Sequence, residues 1–215
     1  MQGLFITLEG PEGAGKTVLA RRLTEALTAR GLTVRLTREP GGTTLGERLR
    51  AVLLERPRDG AAPLAARADA LLFNAARAQL VAEVIRPSLA AGEIVVCARF
   101  ADSTLAYQGY GAGLPVDELR AVAAVATGGL EPDLTILLDV DPETGIRRKS
   151  PDARNRFESG FDLAFHRRVR EGFLELARAE PDRWRVVDST RHVDRVFDDV
   201  LAVVDQDLGA REVAR

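Results

Sequence analysis

Apolar residues along this chain fall into two kinds of run. Short, often β-branched stretches of four or five residues alternate with longer stretches in which leucine or alanine recurs every three or four positions. The first kind reads as buried strand: Leu4–Leu8, Ile94–Cys97 and Leu134–Leu138, with Thr33–Thr37 and Trp184–Val187 as shorter companions. The second kind reads as helix. Thr17–Arg30 carries Leu19, Leu23 and Leu27 on one face and meets a stop at Gly31. Leu45–Leu54, Leu64–Ile85, Val116–Thr127, Pro142–Lys149, Phe161–Ala179 and Val193–Leu208 follow. Pro87 is expected to end or kink the long helix before it, and Gly128-Gly129 to stop the next.

Strands that alternate with helices imply an α/β fold, a mostly parallel five-stranded sheet with helices on both faces. The segments that break pattern (10–17, 38–43, 98–111, 139–141 and 188–191) each follow a strand, so they should converge at the carboxyl edge of the sheet, where such folds bind ligands. No repeat or linker divides the 215 residues, which read as a single domain over 1–208 with a frayed tail at 209–215. A hydrophobic fraction of 46% supplies a full core. The net charge of −2 gives no support for a nucleic-acid surface, and no apolar run is long enough to cross a bilayer. One cysteine, Cys97, excludes an intramolecular disulfide and fits a reducing compartment. The amino terminus shows no basic, cleavable leader, so a soluble cytoplasmic protein is expected.

The most informative break is the first. Gly10-Pro11-Glu12-Gly13-Ala14-Gly15-Lys16-Thr17 has the spacing G-x-x-x-x-G-K-[ST] and lies between a strand and a helix. Its glycines let several backbone N–H groups point into one concavity, and the helix start adds its dipole, so a polyphosphate is favoured there. Lys16 would reach the β- and γ-phosphates of a nucleoside triphosphate, and the Thr17 hydroxyl would ligate Mg²⁺. A phosphate loop alone does not separate kinases from GTPases, motors or transporters, but no Asn-Lys-x-Asp guanine signature occurs.

The remaining breaks resemble the thymidylate kinase family, a group of P-loop kinases. The resemblance rests on Arg38-Glu39-Pro40-Gly41-Gly42-Thr43, Phe73-Asn74-Ala75-Ala76-Arg77, Arg99 to Gln108, Asp133 to Val140 and Arg156-Phe157-Glu158, and runs from about Leu4 to about Val204. It implies phosphoryl transfer from ATP to dTMP with Mg²⁺, yielding dTDP. It also implies roles for residues at the matching positions. Phe73 and Arg77, four apart on one helical face, would stack on the thymine and donate to its O4. Arg99 would grip the acceptor 5′-phosphate, a task that suits a guanidinium better than an ammonium. Pro40, Ser103, Thr104, Tyr107 and Gln108 would line the acceptor base and sugar, and Glu12 would meet the sugar 3′-hydroxyl. Tyr107 would discourage a 2′-hydroxyl. A lid at about 147–160 would close over ATP. Its cations are Arg147, Arg148, Lys149, Arg154 and Arg156; Arg154 is assigned beside Lys16, Glu12 and Arg99 in catalysis, and Arg147 and Arg156 to ATP, with Thr190 near the adenine. The resemblance further implies a homodimer, consistent with the alanine-rich surplus of apolar surface on Leu64–Ile85.

One position departs from the family pattern. An aspartate usually precedes the arginine–aromatic pair, whereas this chain has Ala98-Arg99-Phe100; Asn155 likewise stands where an acid is common. Two readings stay open: a displaced acid, with Asp102 and Glu12 as candidates, or reduced turnover. A kinase for another nucleotide is the nearest alternative activity.

Overall fold

The computed structural model describes residues 3–55, 64–148, 157 and 160–213. Five strands, β1 (Leu4–Glu9), β2 (Val34–Arg38), β3 (Ile94–Ala98), β4 (Leu134–Asp139) and β5 (Trp184–Asp188), pair in the order β2-β3-β1-β4-β5. Every pairing is parallel, so the expected mostly parallel sheet is parallel throughout. After β1 the chain places β2 at one edge and returns with β3 between them, then crosses to the other side of β1 for β4 and β5. That makes the carboxyl end of β1 the topological switch point.

The near-continuous apolar runs follow from burial on both faces. Leu4, Ile6 and Leu8 of β1 pack with Leu19, Leu23 and Leu27 of α1 (Lys16–Ala29) and with Val196, Val200 and Val204 of the closing helix. Phe5 points the other way, into a cluster with Leu80, Val81, Ile85 and Phe100. A third cluster joins Leu105 and Tyr107 to Phe165, Val169, Phe173 and Trp184. Among the described residues, Glu9 is the wholly buried polar end of β1, positioned where the phosphate loop begins.

Three elements differ from the sequence expectation. Of the end or kink expected at Pro87, the end does not occur. The path runs through α3 (Ala66–Leu80), a widened turn at Val81–Ile85 and α4 (Arg86–Ala90). A proline lacks an N–H and crowds the carbonyl four residues back, and widening the preceding turn relieves both problems. The segment after β3, expected to be irregular, coils into α5 (Ala101–Thr104) and a second widened turn at Leu105–Gly111. The remaining helices are α2 (Thr44–Leu54), α6 (Val116–Thr127), α7 (Pro142–Arg147), α8 (Leu163–Ala179) and α9 (Val193–Val213). The last continues beyond residue 208, so helix replaces the expected frayed start of the tail.

Candidate active site

The loop between β1 and α1 forms the turn that its glycines predict. Gly10, Gly13 and Gly15 all have positive φ, and Gly15 caps α1 at φ 92°. Space is as restrictive as torsion here: a Cβ on Gly13 would collide with the Gly145 carbonyl of α7, and one on Gly10 with that of Leu138. Lys16 Nζ donates to the carbonyls of Gly10 at 2.8 Å and Pro11 at 2.7 Å, holding the loop closed around its own cation. Ser189 Oγ donates to the Ala14 carbonyl at 2.7 Å and ties the loop to the segment after β5. The Thr17 side chain stands exposed at the first turn of α1, on the cleft wall.

A cavity of about 420 Å³ extends from Lys16 and Thr17 to Phe73 and Gln108. Its wall between these ends carries Glu12, Pro40, Ala98, Arg99, Ser103, Thr104 and Tyr107. The phosphate loop and the segments expected to hold an acceptor therefore share one cleft. Arg99 is central to it. Among the described residues it is the one non-glycine with positive φ, at 71°, a conformation that costs on the order of 1–2 kcal/mol. Three bonds hold that turn: Arg99 N–H to the Leu8 carbonyl at 3.0 Å, Phe100 N–H to Glu9 Oε1 at 2.7 Å, and Cys97 Sγ to the Arg99 carbonyl at 3.0 Å. The side chain pairs with Glu12 at 2.5 Å and lies over the Tyr107 ring at 4.9 Å. Tyr107 in turn donates its hydroxyl to Glu12 Oε1 at 2.9 Å. Burial lowers the Arg99 pKa, but Glu12, Tyr107 and Glu9 outweigh it and raise it, so the guanidinium keeps its charge. Burial pushes the Tyr107 phenol well up, which keeps it a donor.

Glu9 itself was not singled out in the sequence. Burial, with the Asp102 charge adding to it, pushes its carboxyl up to about 7. Ser103 Oγ donates to its second oxygen at 2.6 Å. Of the acids weighed as stand-ins for the one missing at Ala98, Asp102 is buried and not on the cavity wall. It pairs with Arg183 at 2.8 Å. Glu12 is engaged with Arg99 and Tyr107.

Arg77, expected to face the acceptor base, lies deeper than Phe73. It does not line the cavity; it is wholly buried beneath it. Its guanidinium donates to Glu39 Oε2 at 2.7 and 2.9 Å, to Asn74 Oδ1 at 2.8 Å, and to the Phe100 carbonyl and Thr104 Oγ1, both at 3.1 Å. Phe73, one turn earlier, does reach the cavity wall and tilts against Phe157 with centroids 6.0 Å apart. Thr104 and Gln108 also line it.

Arg50 and Arg38 were missed as site residues. Both line the cavity, and Arg50 donates to the Pro40 carbonyl at 2.9 Å. Burial first, then the charges of Arg38 and Arg99 against the opposing charge of Glu47, lower the Arg50 pKa. No local signal marks Arg50. It lies in an ordinary amphipathic helix, and only the packing of α2 on α3 turns it to the cleft.

On the lid side, Arg147 is exposed and bonds Thr144 Oγ1 at 3.0 Å, off the cavity. Its neighbour Arg148 lines the cavity instead, donating to the carbonyls of Ser189 at 2.7 Å and Thr190 at 3.0 Å. Thr190 bonds Asp188 through its N–H and hydroxyl and is not on the cavity wall. Lys149, Arg154, Asn155 and Arg156 lie outside the described residues. Among the described residues, no group of three or more His, Cys, Asp or Glu is arranged to hold a metal, and no helix is long and apolar enough to cross a membrane. A lone hydroxyl such as Thr17 suits a Mg²⁺ that arrives already bound to phosphate oxygens.

Comparison with known proteins converges on one family. The family model described as Thymidylate kinase matches residues 8–200. A thymidylate kinase of Deinococcus radiodurans is 54% identical over 95% of this chain and 98% of its own length. One from Roseiflexus castenholzii is 46% identical over 96% and 95%, respectively. Among solved structures, the crystal structure of thymidylate kinase from Ehrlichia chaffeensis superposes with a TM-score of 0.78 at 33% identity, covering 95% of this chain and all of that one.

Proposed function

The chain belongs to the thymidylate kinase family and is a dTMP kinase, and from that premise we propose how its cleft divides the work. The observation that carries the proposal is the single cavity that joins the phosphate loop to Phe73, Arg99, Thr104 and Gln108. ATP enters on the loop side. The N–H groups at the start of α1 receive its phosphates, and Lys16 exchanges the Gly10 and Pro11 carbonyls for phosphate oxygens. Thr17 and the triphosphate would hold Mg²⁺, which would neutralise charge on the phosphate oxygens.

The acceptor lies on the opposite side. Arg99, with Arg50 and Arg38, receives the 5′-phosphate of dTMP, and the crowding of these cations favours a dianion between them. Glu12, braced by Arg99 and Tyr107, faces the sugar 3′-hydroxyl, and Tyr107 disfavours a 2′-hydroxyl. Phe73 stacks on the base. Arg77 acts from beneath, through Thr104 and Glu39. The lid segment at about 147–160, with Arg148 already on the wall, closes over the donor and excludes water, the competing acceptor. The protein works as a cytoplasmic homodimer that supplies dTDP.

ADP formation from ATP across a panel of dTMP, dUMP, dCMP, dGMP and thymidine tests this assignment. Turnover is expected with dTMP foremost and none with thymidine, because Arg99 acts on an acceptor that already bears phosphate. Equal kcat/KM for dTMP and dCMP would overturn the acceptor assignment.

A further inference from the structure

Asp69, Phe73 and Arg77 stand four residues apart on α3, so they share one face, and that face underlies the acceptor end of the cavity. Asp69 is 4% exposed, and nothing in the sequence marks it as part of the site. Its Oδ2 accepts a hydrogen bond from Gln108 Nε2 at 2.9 Å, an interaction buried on both sides. A carboxylate can only accept, so it admits one orientation of a neighbouring amide: NH₂ inward. The Gln108 carbonyl Oε1 is thereby turned outward. Among the described residues it accepts no hydrogen bond and is not one of the sealed interior atoms, which leaves it at the cavity that Gln108 lines.

The other side of the base-sized end is prepared in the complementary sense. Arg77 Nη2 donates to Thr104 Oγ1 at 3.1 Å, which occupies that oxygen as an acceptor and leaves its hydrogen to be donated. A cavity wall that accepts at Gln108 and donates at Thr104 matches a pyrimidine with an N3–H beside a carbonyl. Cytosine presents the reverse pattern, an unprotonated N3 beside an amine.

Building on the dTMP reading, we propose that Asp69 is a positioning residue that sets the polarity of base recognition by holding the Gln108 amide one way round. Discrimination against an amino-pyrimidine nucleotide then originates below the cavity, in a carboxylate that never touches the base. Asp69→Asn tests this directly, because an asparagine can offer either its carbonyl or its NH₂ and no longer dictates the orientation of Gln108.

The measurement is kcat/KM for dTMP and for dCMP in the wild type, Asp69→Asn, Gln108→Met and the double variant. The dTMP:dCMP ratio is expected to fall about fivefold or more in Asp69→Asn, with the KM for ATP unchanged. In the Gln108→Met background, Asp69→Asn should leave the ratio where it was. A purely structural role would lower both activities together; an unchanged ratio in the single variant, or a further fall in the double, would overturn the proposal. Should Asp69→Asn not fold, the Gln108 side-chain amide protons in the wild type provide a second test, assigned by their loss in Gln108→Met. Protection from exchange with and without dTMP supports the inward NH₂, and free exchange in the dTMP complex overturns it. Wild-type protein that does not phosphorylate dTMP would fell the underlying reading and this inference with it, whereas normal dTMP turnover with an unchanged ratio fells this inference alone.

Discussion

At the scale of single residues, the site is built by buried groups that hold the visible ones. Arg99 was legible from its place after a buried strand, but its left-handed backbone was not, because nothing in Ala98-Arg99-Phe100 signals positive φ. The torsion is held by Glu9, 90 positions earlier in the chain, which accepts from Phe100 N–H. Glu9 also gives the protein a pH dependence whose sign is set. Burial raises its folded pKa from 4.5 to about 7, so the native state holds this proton more tightly than the unfolded chain does. The stabilisation is complete below about pH 4.5 and is lost as pH rises towards 7, amounting to roughly 3 kcal/mol over that window. Glu9→Gln keeps an acceptor for Phe100 N–H and can donate to Ser103, without the titration. Denaturant unfolding should show a flatter stability profile between pH 4.5 and 7 than in the wild type; parallel profiles would mean that Glu9 does not titrate there. Ala98 is a second residue with a measurable consequence. With Asp102 bound to Arg183, a carboxylate restored by Ala98→Asp would enter the cleft beside Arg99. It should raise kcat by less than about tenfold, under roughly 1.4 kcal/mol, with little change in KM. A steady-state kcat that is unchanged or lower would show that this cleft has no use for an acid at that position.

At the scale of elements, the sequence was readable wherever periodicity and burial agree. All five strands and the helices on either side of them lie within a few residues of their expected positions, because the three inner strands are buried on both faces and glycines punctuate the turns. The misses share a physical origin. The widened turns at Val81–Ile85 and Leu105–Gly111 arise from a proline and from the packing of an active-site helix, and neither has a composition of its own. Arg77 was read correctly as sharing a face with Phe73, but period alone does not reveal how deep a face lies, and one turn separates cavity wall from interior. The contact between α7 and the phosphate loop was likewise invisible. Gly145 lies in α7, and a Cβ there would overlap the Glu12 carbonyl. Gly145→Ala should therefore push α7 from the loop and weaken ATP binding about tenfold or more, while the dTMP affinity changes less. Calorimetric titration of both ligands checks it, and equal losses for the two would mean that α7 supports the whole cleft rather than its donor side.

At the scale of the whole molecule, three helices that pack on one another leave large apolar side chains exposed. Helices α2 and α6 both pack against α3; α2 exposes Leu45 and Val52, α3 exposes Leu71, and α6 exposes Val125. Leu71 is 57% exposed and Val125 86%, although each lies on a helix whose opposite side is already in the core. The alanines of α3 leave its outer surface low, so a second helix can approach closely, and a twofold axis would let the same face serve both copies. Because α3 also carries Asp69, Phe73 and Arg77, a partner packed on its outer side would stiffen the helix that presents the acceptor site. Two consequences can be measured. Light scattering at micromolar concentration should give twice the 23.3 kDa chain mass. Leu71→Glu, which introduces a charge into the apolar face without touching the cavity, should shift the protein towards monomer and raise the KM for dTMP more than that for ATP. A wild type that scatters as a single chain would remove the dimer. A Leu71→Glu monomer with unaltered dTMP kinetics would separate assembly from the acceptor site, and the stiffening argument would fall with it.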